Sequence, residues 1–249
     1  MRGMMMKTLF VKTLFVKTLF VKTIRFSLVA GLMLLMAPAM ASASGGGVAL
    51  KHADISLDQE TIRAGLTVFT DICMGCHSAK YVTYRNLIDY PEIGISREKA
   101  DELRGSKALM EGLKTELAPE DAEAAYGKVP PDLSVIARAR RGGGDYLYAL
   151  LTGYEEDPNG KIEDGNYNHF FPGNRIAMPD PLAWLDHDES ETAELEEQAR
   201  AVSSFLVFIG DPHQLERKRL GRWVMGFLVL LTFVLYLLKK EVWKDVKKH

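Results

Sequence analysis

The stretch that decides the fold is Cys73-Met74-Gly75-Cys76-His77, in which two thiols three positions apart are followed at once by an imidazole. This C-x-x-C-H pattern is typical of the covalent attachment of a c-type haem. Thiols about one helical turn apart can reach the two vinyl groups on one edge of a porphyrin, and the next residue presents its imidazole to the iron. The pattern therefore predicts one covalent haem c, bonded through Cys73 and Cys76 and ligated by His77.

Other uses of a cysteine pair are a structural disulfide, a redox-active C-x-x-C motif and half of a zinc site. A complete zinc site needs more ligands, and the chain has no second pair among its 2 cysteines. Thioredoxin-like chemistry is associated with a βαβ setting, which this sequence does not suggest. The haem interpretation is therefore favoured over all three.

The ligand on the other face of the iron must come from a distant part of the chain. The candidates are Met74, Met110, Met178, His52, His169, His187 and His213. Met74 lies inside the attachment loop, and Met110 lies in a charged, helix-like stretch where a packing role is expected. Met178 follows a Gly-, Pro- and Asn-rich segment that can cross the haem without obeying helix geometry. We therefore predict His77/Met178 ligation, which raises the potential of haem iron as in electron-carrying cytochromes.

Helical periodicity predominates around this motif. We expect helices over 57–76, 97–104, 119–126, 132–141, 145–152 and 190–209, with a long inserted loop between 154 and 182. Ser56 to Gln59 has the form of a capping box ahead of the first helix, in which Ile62, Leu66 and Phe69 recur at helical spacing. The expected fold class is all-α, a cytochrome c-type haem domain with an inserted loop.

The first 43 residues have the organisation of a secretory signal peptide. Basic residues from Lys7 to Arg25 precede an apolar run from Phe26 to Met36, and Ala39-Met40-Ala41 and Ala41-Ser42-Ala43 then offer A-x-A cleavage patterns. The apolar run is too short to cross a bilayer as an anchor. We therefore predict removal of residues 1–43, with export of the domain that follows.

A second apolar segment lies at the other end of the chain. Leu220 to Leu238 contains a single charge, Arg222, and at about 1.5 Å per residue covers roughly 28 Å, close to the thickness of the hydrocarbon core. We predict a transmembrane helix over 217–240 with basic flanks. Because basic residues frame both ends, the export signal decides the orientation. Residues 44–216 are then a periplasmic domain anchored by a single pass in the inner membrane, and 241–249 a cytoplasmic tail.

The domain between these ends is acidic. Residues 44–216 contain 31 Asp and Glu against 16 Lys and Arg, a net charge of −15, whereas the whole chain has a net charge of −2. Such a surface repels nucleic acid and attracts basic partners. The excess is concentrated at 155–157 and 186–197. Two interpretations of the second cluster are open: a docking surface, or the solvated start of a helix, where carboxylates favour the dipole.

Several stretches outside the attachment motif occur in an order typical of one family. They are 73–78 (CMGCHS), 130–134 (PPDLS), 136–141 (IARARR), 144–154 (GDYLYALLTGY), 167–179 (YNHFFPGNRIAMP), 210–212 (GDP) and 239–246 (KKEVWKDV). In these the chain resembles the cytochrome c1 family, the haem subunits of quinol–cytochrome c reductase (bc1) complexes. The resemblance covers nearly the whole exported chain. The sequence departs from some bacterial members in lacking a further cysteine pair that would pin the ligand loop.

The resemblance implies roles for individual residues. Met178, within IAMP, would be the distal ligand, and Arg140 and Tyr146 would contact the haem propionates. The carbonyl of Pro130 would accept a hydrogen bond from the ring of His77 and so set its tautomer. A basic residue beside a proline-rich wall also suits a buried carboxylate.

The same resemblance implies that the protein relays electrons. A Rieske iron–sulfur protein would reduce the haem, a cytochrome c would remove the electron at an acidic surface, and cytochrome b would be a further partner in the membrane. The chain would be the electron-transfer subunit of an oxidoreductase complex, with no catalytic site of its own. One rival is a free-standing, membrane-tethered cytochrome c that delivers electrons to a terminal oxidase. Another is a peroxidase-type enzyme, which needs an open iron site.

Overall fold

A computed structural model of the chain describes residues 49–160, 165–183 and 189–246. The predicted signal peptide, 1–43, lies outside these residues, as does His187. The described chain is mostly helical, which confirms the predicted all-α class. In chain order the helices are α1 (Gln59–Asp71), α2 (Tyr84–Asp89), α3 (Arg97–Arg104), α4 (Pro119–Tyr126), α5 (Ile136–Ala139), α6 (Gly144–Leu151), α7 (Glu189–Gly210) and α8 (Gln214–Val246).

Helix α1 crosses α7 in the centre of the core. Ile62 and Phe69 of α1 are fully buried, and the ring of Phe69 lies 5.5 Å from that of Phe205 on α7. The crossing is close because Gly65 has no side chain: a Cβ there would lie 2.1 Å from the carbonyl oxygen of Ala201. Since α1 ends two residues before the C-x-x-C-H motif, this crossing positions the motif against the core.

The start of α1 differs from the predicted capping box. The N-cap residue is Asp58, whose carboxylate accepts a hydrogen bond from the backbone N–H of Thr61 at 2.9 Å. Ser56 donates its hydroxyl to the same carboxylate instead of capping the helix. The carboxylate binds the free N–H groups more strongly than a hydroxyl would, because its charge also favours the helix N-terminus. The helix therefore begins two residues later than expected.

Two short sheets and one short helix were not predicted. Strand β1 (Ala79–Thr83) pairs with β2 (Gly112–Leu113), and β3 (Asn166–Tyr167) pairs with β4 (Arg175–Ile176), both antiparallel. The second pair lies inside the predicted inserted loop. Helix α2 begins at a capping box formed by Thr83 and Asn86. Elements this short contain too few residues for a periodic pattern of hydrophobic residues to be recognised in the sequence.

The other helices follow the sequence expectations closely. Helices α3 and α4 have the predicted bounds, whereas α5 is shorter than the predicted 132–141 because residues 132–134 bond to the 78–81 segment instead. Helix α7 begins at Glu189, inside the acidic run 186–197. The described carboxylates of that run therefore lie on the first turns of a helix, as the helix-start interpretation predicted.

Helix α8 contains the predicted membrane segment. Its stretch Gln214–Lys244 is long and apolar enough to cross a bilayer, and the apolar side chains on it are exposed. A core helix of a soluble domain would bury such side chains. The helix begins three residues before the predicted 217–240 segment and runs beyond it to Val246.

The junction between α7 and α8 is held by one carboxylate. Asp211 accepts hydrogen bonds from Arg217 on α8, one of them 2.7 Å long, and lies 3.2 Å from the guanidinium of Arg138 on α5. Its side chain is only 11% exposed. The guanidinium of Arg217 lowers the pKa of Asp211 below its usual range. The carboxylate therefore ties α8 to the helical domain.

Replacing Asp211 by asparagine is expected to destabilise the protein at pH 7 by about 1–3 kcal/mol, because charge-assisted hydrogen bonds are lost. A carboxyl whose folded pKa is lowered contributes stability above its unfolded pKa of about 3.9 and loses it as the pH falls. The difference between wild type and Asp211→Asn should therefore shrink below about pH 4. Thermal unfolding of the full chain in detergent at several pH values measures this.

The matched control is Asp89→Asn, which breaks the exposed pair between Arg85 and Asp89 on α2. An exposed i,i+4 pair contributes only about 0.3–0.5 kcal/mol. An equal loss of stability in the two variants would contradict the special role of Asp211.

Candidate functional site

A single cavity brings together most of the residues that the sequence singled out. Its volume is about 320 Å³, and its walls come from the end of α1, the segment 126–140, α6, the segment 171–181 and α7. Apolar side chains such as Leu147, Val202 and Leu206 form much of the wall. Cys73, Cys76, His77, Pro130, Arg140, Tyr146 and Met178 all line it.

The two cysteines are held by a tight turn after α1. Residues Cys73–Gly75 form one turn of 3-10 helix, and the N–H groups of Cys76 and His77 donate to the carbonyl of Cys73 at 3.1 and 2.8 Å. Both thiols are free and half-buried, so they are not a structural disulfide. Burial raises the pKa of Cys73 to about 12, which keeps this thiol uncharged. The turn thus presents both thiols to one edge of the cavity.

The ring of His77 is oriented by a backbone carbonyl. Its Nδ1 lies 2.8 Å from the carbonyl oxygen of Pro131. Because a carbonyl can only accept, Nδ1 carries the proton and Nε2 keeps a free lone pair. Burial lowers the pKa of His77, and the Pro131 carbonyl opposes this shift only in part. The imidazole is therefore neutral and available as a ligand through Nε2.

The predicted partner of His77 was Pro130, and this was wrong by one residue. The register is set by bonds between the motif and the PPDLS stretch: Leu133 donates its N–H to the carbonyl of Ser78 at 2.7 Å, and Tyr81 donates to the hydroxyl of Ser134 at 3.0 Å. With this pairing, the carbonyl of Pro131 lies at the imidazole. Pro130 lines the cavity wall instead.

Of the candidates for a distal ligand, only Met178 lines the cavity within the described part of the chain. His52 and His213 are 77% and 72% exposed on the surface. Met110 is 70% exposed, so its predicted packing role was wrong. Met178 is half-buried, and its carbonyl accepts hydrogen bonds from the Tyr154 hydroxyl and the Asn166 amide.

Arg140 and Tyr146 lie at the same part of the cavity. Burial raises the pKa of Tyr146, and the positive charge of Arg140 acts in the opposite direction, as expected of neighbours. The guanidinium provides a positive charge in a wall that is largely apolar.

Two further lining residues were missed from the sequence. Tyr126, at the end of α4, has its hydroxyl 3.9 Å from the sulfur of Cys76, and Lys128 follows it in the wall. These two residues reach the motif only because the chain turns back towards it between residues 110 and 130. No local sequence pattern predicts that path.

The donor set fits a covalently bound haem c. Two free thiols and the imidazole come from one short turn, a thioether comes from a distant loop, and the walls between them are largely apolar. Structural zinc sites use charged or imidazole ligands in a closed tetrahedron, and no group of three metal-binding His, Cys, Asp or Glu side chains occurs in the described residues. A helical domain with this arrangement defines the class of c-type cytochromes.

Sequence comparisons identify the particular family within that class. Residues 50–246 match the model of the Cytochrome C1 family, and the chain belongs to this family. Cytochrome c1 of Rhodospirillum rubrum is 32% identical over 90% of this chain and 98% of its own length. The mitochondrial cytochrome c1 haem protein of Kluyveromyces lactis is 33% identical over 78% of this chain and 74% of its own length. A relative from Nitrosomonas europaea described as ammonia monooxygenase gamma subunit is 33% identical over 90% of this chain and 98% of its own length.

Family membership confirms three of the sequence-based predictions. The protein carries one covalently attached haem c, it takes part in electron transport in a respiratory chain, and it is anchored to a membrane. Its partners and the role of each site residue are argued below.

Proposed function

We propose that this chain binds its haem through Cys73 and Cys76 and holds the iron between His77 and Met178. The observation that carries this proposal is the cavity itself, where these four side chains converge although Met178 is about a hundred residues from the motif. The bound haem supplies a one-electron iron couple. With His77 and Met178 both bound to the iron, the site would suit electron transfer and would leave no open position for peroxidase-type chemistry.

The remaining residues of the site orient and shield the group. The Pro131 carbonyl keeps the proton of His77 on Nδ1, which directs Nε2 to the iron. The apolar walls from α6 and α7 exclude water, which favours the less charged form of the iron. Arg140 and Tyr146 would meet the propionates, where a guanidinium can donate to a carboxylate.

Within the membrane, we propose that the protein is a subunit of a bc1 complex. It would receive electrons from a Rieske iron–sulfur protein, pass them to a cytochrome c, and contact cytochrome b through α8. In support, relatives named cytochrome c1 match over nearly their whole length, and Candida albicans has one named cytochrome b-c1 complex catalytic subunit. The domain also has the acidic surface that a basic cytochrome c requires, with Glu155, Glu156, Glu194 and Glu197 exposed.

The proposed topology follows from the sequence of both ends. Residues 1–43 would direct export and be removed, 44–216 would form the periplasmic haem domain, 217–240 would cross the inner membrane once, and 241–249 would be the cytoplasmic tail. Protease added to intact spheroplasts should cleave the haem domain and leave a membrane-protected fragment containing the tail. Protection of the haem domain would contradict this orientation.

The test of the complex is purification of the tagged full chain from native membranes in mild detergent. We expect one haem c per chain to co-purify with a b-type cytochrome and a Rieske protein, and with quinol–cytochrome c reductase activity. Co-purification with a terminal oxidase alone would support the free-standing tethered cytochrome, and recovery of neither partner would contradict the bc1 assignment.

A further inference from the structure

We propose that Tyr154 and Asn166 are positioning residues for the distal ligand, which they place by holding the backbone carbonyl of Met178 from two sides. This inference rests on the proposed ligation of iron by Met178. It concerns what would hold that thioether at the iron, since the loop has no disulfide and its described residues form no helix.

The first observation is a pair of donors on one carbonyl. The Tyr154 hydroxyl and the Asn166 Nδ2 each lie 3.2 Å from the Met178 oxygen. A carbonyl has two lone pairs, so these two donors satisfy it completely and leave no position for water. Two half-buried side chains from distant points of the segment 154–178 thus meet at a single backbone atom.

The second observation is that Asn166 is itself fixed to the strand that leads to Met178. The backbone of Asn166 pairs with Ile176 in the β3–β4 ladder. Its side-chain amide donates to the carbonyl of Met178, which comes two residues after Ile176. Because Asn166 is bonded to both Ile176 and Met178, it limits rotation of the backbone between these two residues. Ile176 is buried, which anchors the strand on the cavity side.

Tyr154 connects the same carbonyl to the rigid part of the domain. It comes three residues after the end of α6, which packs on α7, and it forms an isolated antiparallel bridge with Asn168. Asn168 is fully buried and donates its amide to the carbonyl of Leu150 on α6 at 2.7 Å. The backbone of Tyr154 is therefore tied to α6 both through the chain and through Asn168.

The residue after Met178 completes the arrangement. Pro179 has no N–H and restricts the preceding residue to extended conformations. With the carbonyl held and the following bond restricted, the Met178 side chain retains few ways to leave the cavity. Loss of the two donors should therefore raise the rate and ease of methionine displacement without removing the methionine.

The test uses full-length holoprotein in detergent, with variants Tyr154→Phe, Asn166→Leu and the double variant. Imidazole displaces a methionine ligand from ferric haem, and the far-red methionine–iron absorption band reports that displacement. Losing two neutral hydrogen bonds should lower the imidazole concentration for half-displacement roughly tenfold in the double variant. Each single variant should show part of this shift, and the reduction potential should fall in the same order.

The matched control is Tyr167→Phe. The Tyr167 hydroxyl accepts a hydrogen bond of 3.0 Å from the amide of Asn174, beside the same pair of strands, and not from or to Met178, so its loss should leave the imidazole midpoint unchanged. A wild-type midpoint in the double variant, or an equal shift in the control, would overturn the positioning role. If Met178→Leu itself leaves the far-red band intact, the proposed ligation fails and this inference fails with it. Loss of the band in Met178→Leu together with a wild-type imidazole midpoint in the double variant rejects the inference alone.

Discussion

Replacing Met178 by leucine is expected to abolish the far-red methionine–iron band, to lower the reduction potential, and to let the reduced protein bind carbon monoxide. Leucine fills a similar volume, so the fold should remain, but it has no sulfur to bind iron. The potential should fall by roughly 0.1–0.3 V, a part of the ~0.8 V range that axial ligands cover. Absorption spectra with and without carbon monoxide, together with a redox titration, measure the three effects.

Met110→Leu is the control for this substitution. Met110 is 70% exposed and lies outside the cavity, so its replacement should leave the spectrum and the potential as in the wild type. An unchanged far-red band in Met178→Leu would refute the assignment of Met178 and would require another methionine as the ligand.

The largest effect on stability is expected from Gly65→Ala. The new Cβ would lie 2.1 Å from the Ala201 carbonyl oxygen and 2.7 Å from the Phe205 Cβ, so α1 and α7 would have to move apart. Overpacking of this kind costs about 3 kcal/mol or more, well beyond the ~1 kcal/mol that alanine adds in helix propensity. Because the cysteine motif follows α1 directly, the yield of haem-loaded protein should also fall. Denaturant unfolding and the haem-to-protein ratio measure these effects.

The control for this variant is Ala64→Ser, which adds one heavy atom at the exposed neighbouring position of the same helix. Its effect on stability should stay within about 0.5 kcal/mol. A Gly65→Ala protein that unfolds at the wild-type denaturant midpoint would contradict the close crossing of α1 and α7.

The parts of the site that were predictable from sequence are those in which chemistry is local. Cys73, Cys76 and His77 are adjacent along the chain, and their spacing alone indicates thioether attachment. Met178 could be selected among several candidates because proline and glycine around it mark a loop that helix geometry does not constrain. The membrane helix was predictable because its length and apolar composition are set by the bilayer.

The parts that escaped prediction depend on contacts between distant segments. Whether Pro130 or Pro131 meets His77 is decided by two hydrogen bonds that no local pattern shows: Leu133 donates to the carbonyl of Ser78, and Tyr81 donates to the hydroxyl of Ser134. A shift of one residue in that register would exchange the two carbonyls. The contact between Tyr126 and Cys76 likewise depends on the path of the chain between them, which no local pattern predicts.

The short pairing of β3 with β4 has a consequence for the entropy of ligand binding. A free loop of this length would lose conformational freedom each time the methionine met the iron, and that loss would weaken the bond. Here the bridge from Tyr154 to Asn168 and the ladder from Asn166 to Ile176 divide the segment into shorter closed loops as the polypeptide folds. The conformational entropy of the segment is therefore lost during folding and not when the methionine binds the iron. The binding of the sulfur to the iron is weakened less as a result.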